Sequence, residues 1–371
     1  MKIWNPFKRE RRDADPSWAA LGGGQSLALS GQHVDARAAE GLSAVFGCVQ
    51  ALSESVACLP LHVYSRSDQG RERADGHSLA RLLRDVGMAG RESMTATVLL
   101  HGNAFAKKEF NGAGDVIALH PLHPNRVSVV KLASGRYAFD VSHDDGKTER
   151  LLLDEVFHLA DRVEPGSILG KSRIAIARET LGLGLALRAH GASTFRNGAR
   201  PGGLLESPHK LTGEQHADAR RVLDRFEGAI NAGRTMLLSG GMTFKPLSMN
   251  LEDAQFIAAS QFNVEEICRI FRVPPTIVSD LRHGNYSNTA ELGSQFVRYS
   301  LARWLAMWEE AISTQLLGPI ARQRYFAEHA VDGLLRGAPE TRATFYETMI
   351  RAGVMLPDEA RRLENLPPLQ S

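Results

Sequence analysis

Pro274 and Pro275 cut a run of helical periodicity in two, and this interruption constrains the chain more than any other feature. From Asn250 to Val273, Phe256, Ile257, Phe262, Ile267, Ile270 and Phe271 fall at helical spacing. The prolines end that helix, because proline has no N–H for the preceding turn. Next comes Ser279-Asp-Leu-Arg-His-Gly-Asn-Tyr-Ser-Asn288, which is too polar to bury itself. A longer pattern follows, in which Phe296, Tyr299, Arg303, Trp304, Met307, Trp308, Ala311, Ile312 and Leu316 recur every three or four positions. Asn250 with Asp253, and Asn288 with Glu291, suit the N-cap and N3 positions of the two helices. At about 1.5 Å per residue the second spans roughly 40 Å. Two apolar helices holding out a polar loop suit a protein that presents a contact rather than one that encloses a substrate.

The chain ahead of this hairpin reads as α+β. Residues 1–40 mix charge, alanine and the glycines Gly22, Gly23 and Gly24, and are expected to be a flexible arm. The basic cluster at 8–12 reads as a solvated tail, with contact to nucleic acid or a partner as the alternative. A helix is expected from Ser43, where Val45, Phe46, Val49, Leu52 and Val56 share a face, followed by a short strand at Leu61–Tyr64. One or two helices are expected over 78–100. Short strands are expected at Asn103–Phe110, Val116–Leu119, Val127–Val130, Arg136–Phe139 and Glu155–Leu159, on one antiparallel sheet.

Ser172 is placed to cap a long helix to about Asn197, with Ile174, Ile176, Ala177, Leu181, Leu185 and Ala189 on its apolar face. Gly182 and Gly184 inside it point to close packing of a neighbouring helix. Residues 198–249 read as a compact insert. It comprises a strand at Gly203–Ser207, a helix from the capping box Thr212-Gly-Glu-Gln215 to about Ala229, and a hairpin of 235–239 with 242–246 about Gly240-Gly241. After the long helix a strand is expected at Arg324–Glu328 and short helices at 340–351 and 357–364.

Composition narrows the function. Hydrophobic content is 43% and charged content 23% over 371 residues, ordinary for a globular chain of two or three domains. No run of eighteen apolar residues appears, so no bilayer span is expected. The segment Met1–Arg12 lacks the pattern of a secretory signal. Cys48, Cys58 and Cys268 lie far apart without a paired motif, which suggests buried thiols and no cysteine zinc site. Net charge is +2, from 44 basic and 42 acidic residues, so a tight grip on many phosphates is not expected.

Catalytic constellations are weak. Pro165-Gly-Ser-Ile-Leu-Gly170-Lys171-Ser172 follows a strand and opens a helix, as a phosphate loop does. Pro165, however, stands where that loop needs its first glycine, so the plainer reading is a glycine turn into a serine-capped helix. A P-loop-like NTPase using Gly170, Lys171 and Ser172 is the alternative to a non-enzymatic role. His120-Pro-Leu-His123 cannot be helical across its prolines and reads as a turn, and His101, His158 and His190 are isolated. Asp144-Asp145-Gly146 reads as a hairpin turn. No nucleophile elbow is present, and no catalytic residue, cofactor or metal ligand is expected.

Taken in order, several stretches resemble the portal proteins of tailed bacteriophages, the head-to-tail connectors of long-tailed phages. They are Ser43–Gln50 with Val56–Tyr64, Leu100–Ala104, Leu119–Pro124, Gly170–Ser172, Phe271–Pro275, Asp332–Gly337 with Thr341-Arg342, Gly353, and Glu364–Pro368. The resemblance covers about residues 41–369.

The resemblance implies an α+β portal fold and a ring of about twelve subunits at one capsid vertex of the virion, assembled in the host cytoplasm. It also implies a flexible N-terminal arm at 1–40, a wing at 41–165, stem helices at 166–197 and 250–272, and a clip at 198–249. A tunnel-loop region at 273–289 would precede a spine helix at 290–317, with a wing return and short crown at 318–371. Arg282, His283, Gly284, Asn285, Tyr286, Ser287 and Asn288 would face double-stranded DNA in the channel. Leu204, Leu205, Met236, Leu237, Leu238 and Phe244 would form the clip subunit interface. Implied partners are the large terminase, the head–tail adaptor, and the major capsid protein or scaffold whose procapsid the ring would nucleate, with no membrane. ATP hydrolysis would belong to the terminase.

Overall fold

The computed structural model describes residues 27–67, 70–196, 203–206, 212, 213, 217, 243–246, 251–279, 293–331, 339–363 and 367. These fall into two compact units, one holding Gly47–Ser172 and Phe271–Ser371, the other Gly24–Phe46 and Arg173–Ile270.

Residues 27–40, expected within a flexible arm, are folded. Leu27 and His33 pair across a tight turn. Helix α1 (Ala36–Glu40) is capped by Asp35, whose carboxylate accepts the Ala38 N–H at 2.7 Å. Ala28, Val34 and Ala39 are buried, so three small apolar side chains anchor a segment too short to show periodicity. Helix α2 (Ser43–Cys58) buries Val45, Val49, Leu52 and Val56 as expected, whereas Phe46 is half-exposed.

Strands β1 (Leu61–Ser67) and β2 (Gly70–Arg73) precede α3 (Ser78–His101), which bends where Gly87 takes φ +62°. β3 (Asn103–Phe110) turns into β4 (Val116–Leu122) through Asn111, whose side-chain oxygen accepts the N–H groups of Ala113 and Asp115 at 2.9 Å. β5 (Val127–Lys131), β6 (Tyr137–Ser142) and β7 (Thr148–Leu152) form a meander, with Asp144-Asp145-Gly146 at its second turn. β8 (Val156–Ala160) closes this stretch.

The expected single sheet is instead divided. β4-β3-β8 and β5-β6-β7 are separate three-stranded antiparallel sheets, and β1-β2 belongs to a third. The first two share one core of Phe105, Val129, Phe139, Val141, Leu151 and Val156, with the Phe105 and Phe139 rings 5.3 Å apart. His120-Pro-Leu-His123 is not a free turn, because His120, Pro121 and Leu122 complete the edge strand β4. Proline is tolerated at an edge because its missing N–H interrupts no ladder bond.

In the second unit, α4 (Arg173–Ile176) and α5 (Arg178–Arg196) replace the single expected helix, and β9 (Gly203–Glu206) pairs antiparallel with β10 (Thr243–Pro246). Helix α6 (Leu251–Phe271) ends three residues before Pro274. The helix expected over 212–229 and the strand expected at 235–239 lie outside the described residues, apart from 212, 213 and 217. So do Asn250, Asn288, Glu291 and residues 332–336.

After a π-helical turn over Phe296–Leu301, α7 (Ala302–Gln315) continues the long helix, and α8 (Ala321–Arg324) leads into β11 (Tyr325–His329). β11 completes the third sheet by pairing with β1 from Leu61↔His329 to Ser65↔Tyr325. Helices α9 (Pro339–Arg351) and α10 (Pro357–Leu363) follow.

Candidate functional site

The polar loop expected at the channel, with Arg282, His283, Gly284, Asn285, Tyr286, Ser287 and Asn288, lies outside the described residues; its supports lie within them. After α6, Arg272 takes φ +58°, and the 3-10 turn Pro275–Val278 ends on Ser279 at φ +65°. A left-handed non-glycine residue costs about 1–2 kcal/mol, so two of them need firm surroundings. The Ser300 hydroxyl provides one support by donating to the Arg272 carbonyl. Another lies at Gly47 of α2, where an added Cβ would sit 3.3 Å from a Val278 methyl. The segment entering the loop is therefore held to the body of its unit at two points, Arg272 and Val278.

The helix leaving the loop is fixed more heavily. Trp304 and Trp308 are almost fully buried, and the Trp308 Nε1–H donates to Thr95 Oγ1 at 3.0 Å. Arg303 lies over the Trp304 ring and reaches the Asp161 carboxylate at 2.7 Å. His329 Nδ1 lies 2.9 Å from the Glu309 carboxylate, which also accepts the His329 N–H. Within Phe296–Leu301 the π-turn adds a residue and rotates the face, so Tyr299, expected inward, is exposed while Val297 and Leu301 are buried.

The segment that resembled a phosphate loop is committed elsewhere. Gly170 donates its N–H to Asn103 Oδ1 at 2.8 Å, and its carbonyl accepts from Asn103 Nδ2 at 2.8 Å. The Lys171 N–H points to the Arg162 carbonyl, the Lys171 ammonium pairs with Glu164, and the Ser172 hydroxyl donates to the Leu100 carbonyl. A phosphate cradle requires open amides. Here glycine serves a close crossing of backbones: a Cβ on Gly170 would lie 2.2 Å from the Asp161 carbonyl, and one on Gly102 2.5 Å from the Lys171 carbonyl carbon. The Leu100–Ala104 and Gly170–Ser172 stretches are thus two halves of one junction.

Sequence periodicity did not expose the polar network beside that junction. His158 stacks on Phe105 with ring centroids 4.5 Å apart, its Nε2 meets Asn103 Oδ1 at 3.0 Å, and burial pushes its pKa down to about 4. Gln315 clasps the His158 backbone, accepting its N–H at 2.7 Å and donating to its carbonyl at 2.8 Å. Asn103 on the inward face of a strand was the available signal. Two further histidines serve locally: His123 Nδ1 accepts the Asn125 N–H, and His120 contacts Glu109. Among the described residues no cluster of three His, Cys, Asp or Glu side chains is placed to hold a metal. Cys48 and Cys268 are buried as expected, but Cys58 is exposed beside Met88.

In the second unit, Gly184 admits Asn263 of α6, whose Oδ1 would lie 2.5 Å from an added Cβ. Gly182 instead meets Ala28 and Ser30 of the folded 27–34 turn, so the nearest neighbours of this glycine come from a turn. Asn263 donates to the Thr180 carbonyl and Arg173 to the Ile270 carbonyl, both at 2.8 Å. Large apolar side chains nevertheless remain outward on these helices: Ile176, Leu183, Ile257 and Phe262 are 45–58% exposed. Leu204, Leu205 and Phe244 fall in β9 and β10, with Leu205 opposite Phe244; Met236, Leu237 and Leu238 lie outside the described residues.

The family profile described as "Phage portal protein" matches residues 43–365. The probable portal protein of Streptomyces phage phiC31 is 33% identical over 99% of this chain and 82% of its own length. The portal protein of Enterobacteria phage HK97 is 32% identical over 88% and 79%, respectively. A chain in the neck of an empty gene transfer agent particle, computed with C6 symmetry, matches at TM-score 0.62 and 26% identity, covering 87% of this chain and 90% of that one. With its described residues arranged as a mixed helix-and-sheet fold of this kind, the chain belongs to the phage portal protein family, the structural head-to-tail connectors of the virion.

Proposed function

We propose that the chain forms a ring of about twelve copies at one capsid vertex, with the Arg282–Asn288 loop facing the axial channel through which double-stranded DNA is packaged and ejected. In this reading 41–165 is the wing, α5 and α6 are stem helices, 198–249 is the clip, and the helix through 317 is the spine. Residues 318–371 return to the wing and form a short crown. The large terminase, the head–tail adaptor, and the capsid protein or scaffold dock on the ring.

The observation that carries the reading is the outward apolar set Ile176, Leu183, Ile257 and Phe262 on α4, α5 and α6. Large side chains of this kind repeated along packed helices fit burial against further copies of the chain. The six-fold symmetry of the related neck supports a closed ring. Net charge of +2 fits a conduit, since many tight phosphate contacts would brake sliding DNA, while weak contacts repeated around a ring still add through multivalency.

Negative-stain imaging with mass measurement on the same sample tests the ring: annular particles of about twelve subunits are expected, with Phe262→Glu abolishing them. Deletion of 282–288 should preserve rings and impair packaging or DNA retention. Strictly monomeric protein inside assembled procapsids would overturn the proposal, and ring loss on that deletion would make the loop structural.

A further inference from the structure

Beyond α7, the end of the long helix overhangs a cavity of about 540 Å³ in the first unit. Phe110, Val116, Phe139 and Leu317 form apolar wall, and Lys108 and Arg322 bring positive charge to it. Lys108 is only 6% exposed. Its Nζ donates to the carbonyls of Gln315 at 2.7 Å and Asp154 at 3.2 Å, and among the described residues no carboxylate pairs with it. Among the described residues the Arg322 guanidinium makes only long contacts of 3.5 Å, from Nη2 to the Thr314 and Leu317 carbonyls, and its buried Nε has no partner.

Helix-terminal carbonyls account for part of this arrangement, because a helix C-terminus presents about half a negative charge. Two cations exceed that. Asp154 is the acidic residue on the wall and acts on Lys108 through space, but its carboxylate is 88% exposed and lies 3.5 Å from Arg136, so it does not offset the burial of the ammonium. A buried cation is ordinarily paired, so the arrangement has room and charge for one more anion.

We propose that this cavity binds a carboxylate carried on a short apolar body, with Lys108 and Arg322 contacting the anion and Phe110, Val116, Phe139 and Leu317 receiving the body. The apolar wall disfavours phosphate, whose second charge would raise the cost of leaving water. Burial lowers the Lys108 pKa, so an arriving anion would stabilise the charged ammonium. The carboxylate belongs either to a small amphiphilic acid or to an acidic residue between apolar residues of another polypeptide.

Calorimetric titration of the full-length assembled protein decides the matter, using hexanoate, hexanamide, inorganic phosphate and the blocked peptide acetyl-Leu-Glu-Leu-amide. Hexanoate or the peptide should bind at least tenfold more tightly than hexanamide or phosphate. Lys108→Met should weaken that binding tenfold or more. So should Phe110→Glu, which places a repelling charge at the exposed rim and decides the question if the lysine variant fails to fold. Tighter binding of the peptide assigns the site to a protein partner, and tighter binding of hexanoate to a free acid. The proposal fails if neither carboxylate binds at millimolar concentration, if hexanamide or phosphate binds equally well, or if Phe110→Glu leaves affinity unchanged.

Discussion

Arg303 Nη1 stands 2.7 Å from a carboxylate oxygen of Asp161 whose side chain is 3% exposed, tying the long helix to the chain just after β8. The same Asp161 oxygen accepts the Arg162 N–H at 2.9 Å, and the Asp161 N–H donates to the Gly102 carbonyl at 2.8 Å. Three separated parts of the sequence therefore meet at one acid.

Replacing Arg303 by Met should remove the ion pair to that buried carboxylate. The expected loss is about 3 kcal/mol, at the low end for a broken buried pair because Arg303 itself is partly exposed. Denaturant titration checks this; a loss below about 1 kcal/mol would mean that the tryptophans and the Glu309 and Gln315 contacts hold the helix without this pair.

Gly170→Ala should be among the most damaging single changes, because its Cβ would meet backbone at 2.2–2.6 Å and backbone cannot swing aside. A loss above about 3 kcal/mol, or insoluble protein, is expected. Gly166→Ala is the control: Gly166 has φ +80° with nothing within 4 Å of an added Cβ, and should lose about 1 kcal/mol from backbone strain alone. Comparing the two melting curves separates contact from conformation.

Lys171→Ala removes a partly exposed ion pair with Glu164, which is worth about 0–1 kcal/mol. Unfolding midpoint and ATP binding should match the wild type. Loss of nucleotide affinity in this variant would revive the phosphate-loop reading.

Below neutral pH, His158 should erode stability. Its folded pKa of about 4 lies under the ordinary 6.5, so between these values the unfolded chain binds the extra proton. Stability contributed by the neutral ring is complete above pH 6.5, falls as pH drops towards 4, and is lost on the order of 3 kcal/mol in all. Unfolding of wild type and His158→Phe at pH 7 and pH 4.5 checks this. The variant should start less stable, having lost the bond to Asn103, but should show the smaller decline.

Ser300→Ala should release the carbonyl of Arg272 at the loop base. The stability change should be near 1 kcal/mol, the usual net worth of one hydrogen bond. Hydrogen exchange should quicken over residues 293–301 while α7 beyond Trp304 stays protected.

Local spacing alone determined much of this protein. Periodicity located α2, α6 and α7, the double proline marked the end of α6, and Asp144-Asp145-Gly146 marked a hairpin, because each depends on residues a few positions apart. The ordered motifs also located the family. Tertiary structure decided the rest. No local pattern tells β1 that its partner lies at Tyr325–His329, tells Gly102 and Gly170 that their backbones cross, or tells Gly182 that the 27–34 turn covers it. Nor does helical spacing announce the π-turn that sends Tyr299 outward, since one added residue shifts the face only when surrounding packing holds it there. Periodicity records which side of an element avoids water; which distant surface it meets is set by shape and polar complementarity between segments far apart in the chain.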